Sequence, residues 1–143
     1  MPETLDRPPG PADTDHCWLP RSPKSPSLAR RQLRAFLGGL EAGERFVYAG
    51  QIVLTELVSN ALAYGTPRDR LVLVRFEVDP ACLRIEVHDA SSAAPVRRSA
   101  GSDEEGGRGL ELVNSLAQSW GYGPREGIGK VVWALIGVRE GRV

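Results

Sequence analysis

The sequence is poor in cysteine, in lysine and in long apolar runs, and neither charge is in excess. Cys17 and Cys82 are too few for a disulfide framework and form no metal-ligand cluster, so we interpret them as reduced thiols of a cytoplasmic protein. The 18 basic and 18 acidic residues cancel, which predicts no bulk attraction to nucleic acid. No window approaches the roughly 18 apolar residues of a membrane span, and no hydrophobic leader follows Met1. We therefore expect no direct nucleic-acid partner and no membrane partner.

Two common phosphate-binding signatures are also missing. The sequence contains no Gly-x4-Gly-Lys-[Ser/Thr] loop, and no protein-kinase glycine loop with a His-Arg-Asp motif. Neither of those phosphotransfer folds is therefore expected.

The length of 143 residues suits one hydrophobic core and is too short for two. Residues 1–15 are rich in Pro, Asp and Thr and are expected to form a disordered tail, which leaves residues 16–143 as the domain. Periodicity predicts strands at 16–19, 71–78, 82–89 and 130–138, and helices at 27–37, 45–63 and 109–120. This mixture predicts an α+β fold, a two-layer sandwich with one sheet face covered by helices.

The helix predicted at 45–63 carries a carboxylate and an amide one turn apart. Residues four apart share a helix face, so Glu56 and Asn60 point the same way, just off the edge of a broad apolar band. An amide oxygen suits a hard cation such as Mg2+, and a half-buried carboxylate suits orienting or deprotonating a hydroxyl. A pair at the polar border of an ordinary surface helix is an equal alternative for this segment alone.

A second carboxylate lies at the end of the strand predicted at 82–89. Strand alternation puts Leu83, Ile85 and Val87 on one face, and Asp89 falls in register with them. A buried carboxylate needs a donor, and the amino group of a bound base would supply one. In the alternative, Asp89 begins a turn or caps a helix, since Asp-Ala-Ser-Ser is good turn chemistry.

Glycines precede the helix predicted at 109–120. The sequence Gly-Gly-Arg-Gly at 106–109 would let bare backbone N–H groups at a helix start meet an anion such as phosphate. Gly121 is placed to end that helix. A lone Gly-Gly-Arg-Gly is more often only a flexible loop.

In this order and spacing, the three segments resemble the ATP-binding domain of the GHKL (histidine-kinase-like) superfamily, over roughly residues 16–138. The positions that match its N box and its two glycine boxes are Glu56-x-x-x-Asn60, Asp89-x-Ser91 and Gly107-Arg108-Gly109-Leu110. The resemblance implies the histidine-kinase-like ATPase fold, with a mixed, mostly antiparallel sheet and ATP between helices and sheet.

Three further features are similar to a small actinobacterial branch related to the anti-sigma-factor serine/threonine kinases. Ser91 stands where larger enzymes carry glycine, and the segments 112–121 and 129–133 match that branch. His16 and His88 lack the helical context of a phospho-acceptor, and no dimerisation helices precede the domain, which argues against a complete histidine kinase.

The resemblance also implies roles for single residues. Glu56 matches the acid that activates a water or a protein hydroxyl, Asn60 the Mg2+ ligand and Asp89 the acceptor for the adenine amino group. Residues 91–106 match a lid over ATP, which we expect to be mobile without nucleotide. Arg97 and Arg98 read better as solvated lid charges than as phosphate ligands. The positions expected to contact ATP are Asn60, Asp89, Ser91, Gly107, Arg108, Gly109 and Leu110. For Lys130 a structural or surface role is favoured, and Trp120 and Trp133 are expected in the core.

Two functions from different classes follow from the resemblance. One is a serine/threonine kinase that uses ATP and Mg2+ to phosphorylate an antagonist protein, with an anti-sigma-antagonist-like domain as partner and a sigma factor as a second candidate, in transcription regulation. The other is a non-catalytic regulator in which ATP binding sets the affinity for a partner. Retention of Glu56 favours the kinase, because a pure binder needs no acid there. A homodimer is compatible with either.

Overall fold

The part of the chain that the structure describes is a two-layer sandwich of five strands and three helices. The computed structural model describes residues 13–65, 70–91, 109–124 and 129–138. The strands are β1 (Asp13–Leu19), β2 (Val72–Val78), β3 (Cys82–Asp89), β4 (Ser119–Pro124) and β5 (Lys130–Gly137). They form one sheet in the order β1-β2-β3-β5-β4, and the four ladders between them are antiparallel. The predicted α+β sandwich is thus confirmed, and β1 begins before residue 16, where the domain was expected to start.

Three helices cover one face of this sheet. They are α1 (Ser25–Gly38), α2 (Val47–Asn60) and α3 (Gly109–Leu116). A 3-10 turn at Gly43–Phe46 precedes α2, and a π-helical turn at Ala61–Gly65 follows it. The three interior strands, β2, β3 and β5, alternate strictly between buried and half-buried side chains, because one sheet face meets the helices. Fully buried side chains in the layer between include Leu33, Phe46, Leu54, Phe76 and Ile85.

The end of the chain differs from the sequence prediction. The helix expected at 109–120 ends at Leu116, and the strand β4, which was not predicted, follows at once. The Gln118 N–H donates to the carbonyl of Leu135 at 2.7 Å, which starts the pairing of β4 with β5. Gly121 therefore lies within a strand and does not end the helix. Trp120 satisfied the helical spacing because it packs against the same core from β4.

The two tryptophans expected in the core have different environments. Trp120 is half-buried at the edge of the core, and its indole N–H donates to the Asn114 side chain at 3.3 Å. Trp133 is also half-buried, but the alternation of β5 puts it on the sheet face away from the helices. There the Arg84 guanidinium lies 5.1 Å from the centre of its ring. The core prediction is therefore wrong for Trp133.

The helical stretch Gly43–Ala63 contradicts the expectation that no segment of the sequence approaches the apolar length of a membrane span. Within the described part of the chain, this 21-residue stretch is long and apolar enough to cross a membrane by length and composition, with a hydropathy of 1.3. In the structure its apolar side packs on the sheet, with Val53, Leu54, Leu57 and Val58 almost completely buried. Its hydropathy is therefore accounted for by its place in the sandwich.

Two glycines of β4 give a matched test of this packing. A Cβ on Gly121 would lie 2.7 Å from Cζ2 of Trp133, whereas a Cβ on Gly123 would meet nothing within 4 Å. Because overpacking is destabilising, Gly121→Ala is expected to lower the free energy of unfolding by about 1–3 kcal/mol. Gly123→Ala should match or slightly exceed the unmutated protein. Urea unfolding followed by circular dichroism measures both, and equal stability of the two variants would contradict the close approach.

Candidate functional site

Helix α2 runs from one end of the sheet to the other. Near its start, the Arg45 guanidinium donates to the carbonyl of Pro80, in the turn between β2 and β3, at 2.6 Å. Just beyond its end, the carbonyl of Leu62 accepts from Arg21 Nε at 3.2 Å, and Arg21 lies two residues after the end of β1. Since β1, β2 and β3 are antiparallel in turn, the end of β1 lies at the sheet end where β3 finishes. Asn60, the last residue of α2, is therefore at the same end of the sandwich as Asp89.

Helix α3 runs in the opposite sense. Directly after α3, the Gln118 N–H is bound to Leu135, which pairs with Arg84 near the start of β3. The first residue of α3, Gly109, therefore lies toward the opposite end of the sheet, where β3 ends. Leu110 and Val113 are buried and hold the helix to the core. The polar end of α2, the end of β3 and the N-terminus of α3 thus converge on one end of the molecule, which we call the box end.

Asp89 is fully buried at the box end and is surrounded by donors. The Lys130 ammonium lies 3.1 Å from its Oδ1 and 2.9 Å from its Oδ2. Oδ1 also accepts the backbone N–H of Ser91 at 2.9 Å. The contact with Ser91 is the turn chemistry that the sequence offered as an alternative, and the buried register predicted for Asp89 is confirmed. Lys130 and Ser91 already donate to the carboxylate, so its contact with a bound base stays a prediction.

Lys130 is the residue of this site that sequence reasoning missed. Asp89 and Lys130 are opposite each other at the end of the β3–β5 ladder. Lys130 is only 4% exposed, so the surface role considered for it is wrong, whereas its buried ion pair with Asp89 agrees with the structural role. The signal was available in the sequence, because alternation along β5 puts Lys130 on the same face as Val132, Ala134 and Ile136.

Glu56 and Asn60 lie one turn apart at the rim of the core, and both are half-buried. Burial raises the pKa of the Glu56 carboxyl above its ordinary value. Glu56 lines an open hollow with Arg30, Gln51, Ile52 and Thr55, in which Arg30 donates to the Thr55 hydroxyl at 2.9 Å. The π-helical turn after Asn60 is a geometry frequent at functional sites. A half-buried carboxyl with a raised pKa is more basic than an ordinary one and suits proton transfer.

The remaining predicted site residues divide into two groups. Ser91, half-buried, and Leu110, buried in the core, are described and lie at the box end with Gly109. Gly107, Arg108 and most of the predicted lid, residues 92–106, lie outside the described residues, as do Arg97 and Arg98.

Comparison with known proteins identifies the class to which this arrangement belongs. The family profile described as "Histidine kinase-like ATPase domain" matches residues 19–136, which is most of the chain. The chain therefore belongs to the histidine kinase-like ATPase domain family, whose members bind ATP, usually with Mg2+.

The chain is also similar to part of a solved structure. The histidine kinase domain from the Erythrobacter litoralis EL346 blue-light activated histidine kinase is 22% identical, with a TM-score of 0.46. The match covers 66% of this chain and 45% of that one, so this chain spans less than half of that relative. A search of curated proteins found no match.

Proposed function

We propose that this protein binds ATP with Mg2+ at the box end and acts as a serine/threonine kinase of the anti-sigma-factor type, which phosphorylates an antagonist protein. The observation that carries the proposal is the convergence of Asn60, Asp89 and Gly109 from three separate elements on that end. Membership of a family that binds ATP supports the nucleotide, and the resemblance to the anti-sigma branch supports the acceptor.

The residues of the box end fit a purine nucleotide chemically. The buried Asp89 carboxylate would accept a hydrogen bond from the adenine amino group. The N-terminus of α3 at Gly109, with Gly107 and Arg108 before it, would meet the phosphates through backbone N–H groups and the helix dipole. Asn60 would give its side-chain oxygen to Mg2+, which usually takes one or two protein oxygens and completes its shell with phosphates and water.

Glu56 supplies the catalytic part of the proposal. Bound ATP would supply the transferable γ-phosphoryl group, and Mg2+ would neutralise part of its charge. Glu56 would hold the serine or threonine hydroxyl of the partner and take its proton as the hydroxyl oxygen bonds to the γ-phosphorus. The bond between that phosphorus and the β–γ bridging oxygen would break, and ADP would leave. The raised pKa of Glu56 suits a base of this kind. We assign the acceptor to a small anti-sigma-antagonist-like domain with an exposed serine.

Nucleotide binding is tested by calorimetry with and without Mg2+. The unmutated protein should bind ATP weakly without Mg2+ and more tightly with it. Asn60→Ala should remove most of that difference, because the cation loses its protein oxygen. The control is Asn114→Ala, since Asn114 is the other asparagine of the chain and is exposed on α3. This variant should keep the difference between the affinities with and without Mg2+. No ATP binding, or a Mg2+ dependence unchanged in Asn60→Ala, would count against the site.

Phosphotransfer is tested separately. Partners purified together with the protein from its native host are incubated with radiolabelled ATP, and label on a partner serine or threonine is measured. Label on a partner supports the kinase. Complex formation that depends on nucleotide but transfers no label would instead identify a non-catalytic, ATP-dependent binding regulator.

A further inference from the structure

We infer that Lys130 reads the nucleobase together with Asp89, by donating a hydrogen bond to a ring nitrogen that flanks the exocyclic amino group of adenine. The inference rests on the proposed function, because it adds a second base-contacting residue to the same site. It makes Lys130 a specificity-determining residue, whereas a purely structural lysine would only neutralise Asp89.

The position of Lys130 is the first step. It lies opposite Asp89 at the end of the β3–β5 ladder, on the sheet face that meets the helices. Its ammonium is within 3.1 Å of both carboxylate oxygens, so any group that approaches Asp89 also approaches Lys130. A base whose amino group donates a hydrogen bond to Asp89 therefore places its neighbouring ring atoms beside the Lys130 ammonium.

The donor inventory of Lys130 is the second step. An ammonium has three N–H groups, and within the described part of the chain its hydrogen bonds go to Asp89. At least one N–H group is thus left for another acceptor. At 4% exposure, water reaches this group poorly, and a buried donor without an acceptor costs free energy. A ligand acceptor at this point would remove that cost.

The shape of adenine supplies the matching acceptor. Its amino group is flanked by two ring nitrogens, N1 and N7, each with an accepting lone pair. The adenine edge thus presents a donor beside an acceptor, and Asp89 with Lys130 presents an acceptor beside a donor. The two pairs are complementary.

The test compares three nucleotides by calorimetry on the unmutated protein: ATP, 1-deaza-ATP and 7-deaza-ATP. Each analogue keeps the amino group for Asp89 and replaces one flanking nitrogen by carbon. One of the two analogues should bind about 10- to 100-fold more weakly than ATP, as expected for the loss of a hydrogen bond to a charged donor. The weaker analogue identifies the nitrogen that Lys130 contacts.

The variant Lys130→Met then assigns the effect to the lysine. The affinity of this variant for ATP should fall toward its affinity for the weaker analogue. The ratio of the affinity for ATP to the affinity for that analogue should therefore fall to about 1, because the residue that contacts the replaced nitrogen is gone. Lys24→Met, which changes the only other lysine of the chain and is exposed, should keep the full ratio. A structural role for Lys130 would weaken ATP and both analogues equally and leave the ratio unchanged.

If Lys130→Met does not fold, NMR of the lysine side chains decides. With only two lysines in the sequence, nitrogen-15 lysine labelling gives two signals, and Lys24→Met assigns them. The Lys130 signal should move with ATP and move less with the weaker analogue. Equal binding of all three nucleotides, or an equal response of this signal, overturns the inference and leaves the proposed ATP site standing. Failure to bind ATP itself removes both.

Discussion

Replacing Glu56 with glutamine is expected to slow phosphoryl transfer to the partner protein by about 10²- to 10⁴-fold, the range for loss of a general base. Glutamine keeps the size of the side chain and most of its hydrogen bonds but cannot take the hydroxyl proton. The affinity for ATP should change little, because we assign binding to Asn60, Asp89 and the start of α3. Initial rates of label transfer from ATP, together with calorimetry of ATP binding, measure the two quantities separately.

The matched control is Glu44→Gln. Glu44 is exposed in the 3-10 turn before α2, at the end of the helix away from Asn60, so its replacement should leave the transfer rate unchanged. Transfer that persists undiminished in Glu56→Gln would remove Glu56 from the mechanism.

The pKa of Glu56 determines how the rate and the stability should vary with pH. Burial raises this pKa, so the rate should rise as the pH passes upward through the raised value and the carboxyl becomes a base. The free energy of unfolding should change with pH in the opposite direction. A carboxyl whose pKa is raised on folding stabilises the fold below its ordinary pKa, and this contribution is lost as the pH rises through the raised value. Glu56→Gln should therefore be at least as stable as the unmutated protein at neutral pH, so a loss of transfer cannot be attributed to unfolding.

Replacing Asp89 with alanine is expected to lower the free energy of unfolding by about 3–5 kcal/mol, the usual cost of breaking a buried ion pair from one side. The Lys130 ammonium would remain buried without the carboxylate that accepts its hydrogen bonds. For a chain of this length the melting temperature should fall on the order of 10 °C. Thermal and urea unfolding at neutral pH, followed by circular dichroism, measure the loss.

A double replacement tests the physical reason. In Asp89→Ala with Lys130→Met no buried charge is left, and stability should recover by most of the loss, since buried ion pairs can often be replaced by apolar groups at little cost. Glu77→Ala is the control for an exposed pair, because Arg75 and Glu77 are 38% and 41% exposed. It should cost at most about 1 kcal/mol. A double variant no more stable than Asp89→Ala would show that the broken ion pair is not the cause of the lost stability.

Local pattern was sufficient for much of the fold and of the candidate site. Strand alternation predicted the hairpin of β2 and β3 and placed Asp89 in register with a buried face, because the period of two assigns a face to every residue of a strand. Helical spacing put Glu56 and Asn60 on the rim of α2. These predictions depend on neighbours within one element, and the described residues confirm the positions, while the chemical roles stay predictions.

Only the tertiary structure decided between helix and strand after Leu116. Leu116, Ala117 and Trp120 meet the core at helical spacing, yet Trp120 reaches that core equally well from β4. The edge of β5 settled the choice, because it offers backbone partners to residues 119–124 from another part of the chain. A pattern of side chains cannot reveal a backbone partner that is distant in sequence.

The pairing of Asp89 with Lys130 is tertiary in the same sense. Each residue, taken alone, is a charged group at the end of a buried strand face, and 41 positions separate them in the chain. Alternation along each strand identifies the face but not the register between the strands. The β3–β5 ladder sets that register and brings the two charges together. A buried charge is tolerated only where its partner lies within hydrogen-bond reach. The sequence by itself therefore determined that Asp89 needed a partner, and the packing of β3 beside β5 determined that Lys130 is that partner.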